Sequence, residues 1–300
     1  MRYSLRFFTI LVGFIVSFLT ASGLMASSAA AAKPSFGHVF VIVGENKSLF
    51  QLTSSNAPYI TTKLRHHSAW FTNYHDVVKG SLPNYIALTS GQYAPCQVTG
   101  PCGQFTVRNI FAQVGHGGWR AWNESMPSNC YKHNAGGASG RNWYQAGHNP
   151  ALYYTGLGCT TYDVPAGTTG RNDMSAFNKA LKAGRVPKFN FITPNNCENS
   201  HNSCDGGNIV KKYDSFLRRE IPHIKASPAF GPHSVIFVTY DEGYRKTNDT
   251  NTMMAVIGPQ VHFGTYRGRY NHYSTLATIE HGLGVRCVAK ACAARRLPIG

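Results

Sequence analysis

The chain has 300 residues, 43% hydrophobic and 14% charged, and its 29 lysines and arginines against 13 acids give a formal net charge of +16. That balance favours anionic partners, among them phosphorylated substrates, acidic lipid surfaces, cell-wall polymers and nucleic acid, without choosing between them. The basic residues are scattered, with pairs at Lys211-Lys212, Arg218-Arg219 and Arg295-Arg296 but no long run, so each pair reads as solvated surface and no specific nucleic-acid partner is expected.

Residues 1–32 read as an export signal. Arg2 and Arg6 precede an apolar run from Phe7 to about Leu24, and Ala30-Ala31-Ala32 makes an Ala-x-Ala cleavage pattern before Lys33. The apolar stretch barely reaches the ~20 residues that span a bilayer, and Gly, Ser and Thr interrupt it. A secreted or periplasmic location is expected, with residues 33–300, at a net charge of +14, forming one large α/β domain. All eight cysteines lie beyond residue 32. An even count in an exported chain suggests disulfides, with the sequence-local pairs Cys96/Cys102, Cys130/Cys159, Cys197/Cys204 and Cys287/Cys292 preferred. The absence of Cys-x-x-Cys makes zinc a weak competitor.

In chain order, His38 to Gly44 reads as a first strand, residues 57–69 as a helix, and Trp70 to Val78 as a second strand. A helix then runs to Gly91, with Ser81 as N-cap and Pro83 in its first turn. Thr106 to Val114 reads as a helix and Trp119 to Asn123 as a strand. Residues 127–170, rich in Gly, Asn and Tyr, form a long stapled insertion of functional character. Met174 to Ala183 suits a helix, Phe189 to Thr193 a strand, and Ile209 to Ile224 an amphipathic helix. Val235 to Tyr240 is a buried strand, Thr252 to Ile257 another, and Tyr273 to Leu283 the last helix. The repeated β-α units predict a mainly parallel sheet with helices on both faces.

Ligands bind such sheets just past the carboxyl ends of the strands. Two adjacent acids, Asp241 and Glu242, stand at one such exit, and Glu45-Asn46 stand at the exit of the first strand. Buried together they would repel, and a divalent cation resolves that repulsion because hard cations accept oxygen ligands. Between them Lys79-Gly80-Ser81-Leu82-Pro83-Asn84 sets a serine hydroxyl where a helix begins, a position whose N–H groups and dipole favour a phosphate. Ser81 either caps that helix or acts as a nucleophile once a metal or a base deprotonates it. Asn84 either reaches a phosphate oxygen or faces the loop. His272 opens the last helix, His201 lies just beyond a strand and His148 stands in the long insertion, and together they would serve as leaving-group acid, charge clamp or second metal site.

Seven segments in order, His38-Val-Phe-Val-Ile-Val-Gly-Glu45-Asn46, Ser81-Leu-Pro-Asn-Tyr85, Glu124-Ser-Met-Pro127, His148-Asn-Pro150, Phe191-Ile-Thr-Pro-Asn195, Asp241-Glu242-Gly243 and His272-Tyr-Ser274, resemble the phosphoesterase family of secreted acid phosphatases and bacterial phospholipases C. The resemblance covers nearly all of residues 33–300 and implies an alkaline-phosphatase-like α/β fold. It matches Glu45, Asn46, Asp241 and Glu242 to metal-binding positions, Ser81 to the nucleophile, and His148, His201 and His272 to histidines around the phosphate or leaving group. The chain departs from that pattern where relatives carry His-Pro before the serine, having Lys79-Gly80, which adds positive charge near the phosphate. It departs again in carrying Asn199 two residues before His201, where an Asp is usual, with Glu198 the nearest acid. The expectation is a secreted metal-dependent phosphomonoesterase of acid phosphatase type, acting on phosphomonoesters that include phosphoinositides. A phospholipase C-type phosphodiesterase and a catalytically impaired binding protein for anionic surfaces are the alternatives.

Overall fold

A computed structural model of the protein describes Met1 and residues 35–93, 103–136 and 143–300. The expected export signal and the Cys96/Cys102 pair lie outside the described residues. Nine strands form one sheet: β1 (Val39–Gly44), β2 (Ala69–His75), β3 (Trp119–Asn123), β4 (Asp163–Pro165), β5 (Phe189–Thr193), β6 (Val235–Tyr240), β7 (Asn251–Ile257), β8 (Gly264–Tyr266) and β9 (Tyr270–Asn271). Their order is β4-β3-β5-β1-β6-β7-β2-β8, with β9 also pairing with β2. Every pairing is parallel except the two that β7 makes with β6 and β2.

The central strand β1 is buried along its whole length, as expected of a strand covered on both faces. Its alternation divides the core. Val39, Val41 and Val43 face a cluster with Leu82, Ile86 and Leu276, whereas Phe40 and Ile42 face Phe177, Phe216 and Leu217. The first face is covered by α1 (Ser81–Ser90), α2 (Ile110–Val114) and α6 (His272–Leu283); α4 (Ser175–Lys182) and α5 (Ile209–Lys225) cover the second. Gly44 ends β1 where space is tight, since a Cβ there would lie 2.7 Å from the rings of Tyr213 and Tyr240.

Several local expectations are corrected. Residues 57–69 do not form a plain α-helix: Ile60–Leu64 winds as a π-helix and Arg65–His67 as a 3-10 turn. There the Thr61 and Thr62 hydroxyls bond back to the Ala57 and Pro58 carbonyls, a competition with regular winding. The helix expected from Thr106 is only α2, capped by the Asn109 side chain accepting from the Ala112 N–H. Within the 127–170 insertion lie α3 (Cys159–Tyr162) and the edge strand β4, paired with β3. Disulfides join Cys130 to Cys159, Cys197 to Cys204 and Cys287 to Cys292.

Candidate active site

Because β1, β2, β3, β5, β6 and β9 run in one direction, their carboxyl ends bring Glu45, Asp76, Glu124, Asn195, Asp241 and His272 to one edge of the sheet. Register does the fine placement: Gly44 of β1 lies opposite Tyr240 of β6, so Glu45 and Asp241 leave adjacent strands side by side. The Asn46 N–H then donates to Asp241 Oδ1 at 2.9 Å. Asn46 sits at φ 56°, a left-handed conformation that Asn tolerates better than most residues.

The loop into α1 turns through Gly80, whose φ of 109° is open to glycine but not to residues with a Cβ. Gly80, not Ser81, is the N-cap, and Ser81 makes no capping hydrogen bond. The serine hydroxyl is thereby left to donate to Glu45 Oε2 at 3.0 Å. Tyr85, one helical turn further on the same face, donates its hydroxyl to Glu45 Oε1 at 2.7 Å, and the Asn46 side-chain amide donates to Oε2 at 2.7 Å. The Gly80 N–H donates to Glu242 Oε2 at 2.7 Å, tying the start of α1 to the exit of β6.

These carboxylates are crowded. Burial, and then the charge of Asp241, raises Glu45 well above the usual carboxylate range. Burial followed by the Glu242 charge pushes Asp241 up to about 8. Glu242 is also raised, chiefly by burial. Among the described residues, Asn46 Oδ1, Asp241 Oδ2, Glu242 Oε1 and His148 Nε2 are buried without a hydrogen-bond partner. Glu242 Oε1 has Arg245 Nε 3.0 Å away, an ion pair outside hydrogen-bond geometry. Orphaned buried oxygens beside crowded carboxylates are the donor type that a hard divalent cation takes, and Asn46, Asp241 and Glu242 offer such oxygens beside Glu45, although the side chains whose ligand atoms converge within 4.8 Å at this site are Glu45, His148 and His201.

His148 Nε2 lies 3.3 Å from Glu45 Oε1, again without hydrogen-bond geometry. The His148 ring stacks on Tyr85 and lies 5.4 Å from the ring of His201. Glu45, His148 and His201 each turn a ligand-capable atom into one space, all within 4.8 Å of one another. Burial holds His148 well below the ordinary imidazole range and lowers His201 as well. His201 is only half-buried, and its Nδ1 is bonded to Asn202 Oδ1 at 2.6 Å.

The remaining predicted residues stand elsewhere. His272 has both ring nitrogens occupied: Nε2 donates to the Asp241 carbonyl oxygen, and Nδ1 faces the Tyr74 hydroxyl at 2.9 Å. Burial draws it down to about 4, so it is a neutral strut behind Asp241. Asn84 faces the loop: its amide donates to the Val78 and Gly80 carbonyls at 2.6 and 2.9 Å, and its oxygen accepts from the Val77 N–H. Lys79 is exposed and donates to Asn248 Oδ1. Glu198 does not substitute for an acid at 199; it is held by Arg219 at 2.6 and 3.0 Å. A second cluster of ligand-type side chains, Cys130, Cys159 and Asp163, has both sulfurs taken up in a disulfide. Two residues escaped the sequence reading. Tyr85 was legible as the i+4 neighbour of Ser81. Lys47, buried with Nζ on the Asn46 and Ser200 carbonyls at 3.1 and 3.0 Å, gave no signal beyond adjacency to Glu45-Asn46.

The sequence profile of the Phosphoesterase family matches residues 29–245. The chain belongs to this family. This phosphoesterase is 27% identical over 283 residues to a phosphatidylinositol-3-phosphatase of Mycobacterium tuberculosis, covering 91% of this chain and 87% of that protein. It is also 27% identical over 234 residues to a phosphate-repressible acid phosphatase of Penicillium chrysogenum, across 75% of this chain but only 54% of the fungal protein. Among solved structures, an alkaline phosphatase superfamily protein from Vibrio parahaemolyticus superposes with a TM-score of 0.62 at 15% identity, covering 85% of this chain and 69% of that one. A lipoteichoic acid synthase, LtaP, from Listeria monocytogenes gives 0.58 at 12% identity, covering 84% and 73%. The fold is therefore alkaline-phosphatase-like, and the phosphoesterase is a phosphoric ester hydrolase acting on phosphoester substrates.

Proposed function

We propose that this phosphoesterase is an exported, metal-dependent phosphomonoesterase with Ser81 as its nucleophile. One observation carries the reading: the Ser81 hydroxyl, relieved of capping by Gly80, donates to the buried Glu45, while Asp241 Oδ2 and Glu242 Oε1 at the neighbouring strand exit are buried without hydrogen-bond partners. Glu45, Asn46, Asp241 and Glu242 would hold a divalent cation. When bound, the cation supplies neutralising charge for the phosphoryl oxygens and lowers the pKa of the serine hydroxyl.

The phosphate would sit against the first N–H groups of α1, which also offers the positive end of its dipole. Ser81 Oγ attacks phosphorus in line; the Oγ–P bond forms as the bond to the leaving alkoxide breaks, and the hydroxyl proton passes to Glu45 Oε2, its present acceptor. His201, which burial holds below the ordinary imidazole range, hands a proton to the leaving oxygen on the acid side of neutrality, where its ring is charged. It suits this part better than His272, because it is half-buried and its Nε2 has no fixed protein partner among the described residues. Water then attacks the phosphoserine and gives a proton to His201; the Oγ–P bond breaks, Ser81 Oγ takes back the proton held on Glu45, and phosphate leaves. His148, held neutral, braces Glu45 and Tyr85. The monoester preference, with phosphoinositides among the substrates, follows the names of the mycobacterial and fungal relatives. The N-terminal signal pattern and three disulfides, a bond that persists in oxidising compartments, support export.

Ser81→Ala should cut hydrolysis of p-nitrophenyl phosphate by about 10³-fold or more while leaving the melting temperature within ~2 °C; undiminished turnover would take the serine out of the mechanism. Chelation should abolish wild-type activity, with recovery on adding back a divalent ion. Release of headgroup from phosphatidylcholine by the same preparation, at rates matching the monoester, would favour a diesterase instead.

A further inference from the structure

A feature that the phosphoester site does not use lies at the opposite end of the sheet. Val235 opens β6, Phe36 precedes β1, and Val261 follows the antiparallel β7, so all three sit at the edge remote from Ser81. Helix α6 spans the molecule between the two: His272 stands at the site and His281 nine residues along, roughly 14 Å on a helical rise. At that far edge is a cavity of about 610 Å³, inside the range of about 300–1,000 Å³ typical of small-molecule pockets. Its walls are apolar, from Phe36, Val235, Val261, Leu297 and Ile299.

Its mouth is cationic. Arg295, Arg296, His233 and His281 are all exposed and all line the cavity, while the Gly300 α-carboxylate is the one anionic group on the lining among the described residues and forms no ion pair with either arginine. Neither arginine has an acidic partner among the described residues. The Arg295 guanidinium is steadied over the ring of Tyr270 at 5.3 Å, a contact through its face that leaves its N–H edges free. The segment carrying the arginines is fixed as well: the Leu297 N–H donates to Thr278 Oγ1 at 2.8 Å, and the Ile299 carbonyl accepts from the His262 N–H at 3.0 Å.

We infer that this cavity is a second ligand site, separate from the phosphoester site, for a single-tailed amphipathic anion: an alkyl chain in the apolar interior and an anionic head on Arg295 and Arg296. A neutral or cationic head would leave the arginines unmatched, and a purely polar anion would leave the apolar walls wet.

The test is calorimetric titration of the full chain with decanoate, with decyl sulfate as a second anionic head and decyltrimethylammonium as the cation. Both anions should bind one per chain and the cation should not. Octanoate, two methylenes shorter, should bind about fifteenfold more weakly than decanoate, because each methylene lost from an apolar site weakens binding about fourfold. The double variant R295Q/R296Q, altered only at exposed positions, should weaken decanoate tenfold or more with melting unchanged, and Val261→Trp should block binding by filling the interior. Both variants should hydrolyse p-nitrophenyl phosphate at the wild-type rate. No decanoate binding, equal binding of the cation, or decanoate affinity untouched by R295Q/R296Q would each overturn the inference, and none of these bears on the Ser81 site.

Discussion

Asn199 shows how one side chain changes meaning once its neighbours are known. In the sequence it reads as a missing acid; in the structure it is fully buried and uses both ends of its amide. Its oxygen accepts from the His201 N–H at 2.9 Å, and its nitrogen donates to the Pro194 carbonyl at 3.3 Å. Its backbone carbonyl accepts from the Glu45 N–H at 2.7 Å. The residue therefore braces the loop that carries His201 against the strand exit that carries Glu45. A carboxylate there would have no proton for Pro194 and would add a fourth acid beside three already raised. Asn199→Asp is expected to lower stability by about 1–3 kcal/mol, the usual cost of an unsatisfied buried polar group, and to reduce kcat rather than raise it. A variant more active than the wild type in steady-state assays would show the amide to be a defect. Residue identities at the site were legible because strand exits and a Gly-Ser helix start announce themselves. The directions of His272 and Asn84 were not, since they depend on the Asp241 carbonyl and the Val77–Gly80 loop, which only the folded chain brings near.

At the level of elements, long buried strands and amphipathic helices were readable from period and length, as β5, β6 and α5 attest. Strands of two or three residues were not, because β4, β8 and β9 are too short to carry a period. Strand β4 matters most, since it stitches the disulfide-stapled insertion to the sheet edge through Asp163. That carboxyl is fully buried, accepts from the Asn123 and Asn149 side-chain amides at 2.6 and 2.9 Å, and is pushed from its ordinary 3.8 up to about 7, with burial the dominant cause. The folded state thus keeps a proton that the unfolded chain has lost between about pH 4 and pH 7. Its contribution is complete below pH 4 and is lost as pH rises towards 7, by roughly 4 kcal/mol at most. Asp163→Asn removes the titration, so denaturant midpoints of that variant should fall less between pH 4.5 and 7 than those of the wild type. Parallel slopes would mean that Asp163 is ionised throughout.

For the whole molecule, the two cores around β1 hold a rigid frame whose carboxyl edge concentrates buried negative charge in a chain that is otherwise basic. Glu45, Asp241 and Glu242 are there at a cost to the fold, because each is raised by burial, Glu45 further by the charges of Asp241 and Glu242, and Asp241 further by that of Glu242. Stability and function are therefore opposed at one place, and the divalent cation of the proposed function would reconcile them. Binding to the folded state alone adds about 2.7 kcal/mol when the ion stands at a hundred times its dissociation constant, which in a domain of this size is a rise of roughly 5 °C in melting temperature. The double variant Glu45→Gln with Asp241→Asn should behave in the opposite sense. Without metal it should melt above the wild type, since two crowded carboxyls become neutral amides of the same shape, and it should show neither the metal-induced rise nor turnover. Scanning calorimetry of both proteins, with chelator and with each of several divalent ions, separates the cases. A metal-induced rise that survives the double substitution would locate the ion elsewhere, and a variant that melts lower without metal would mean that these carboxyls stabilise the fold by hydrogen bonding instead of straining it.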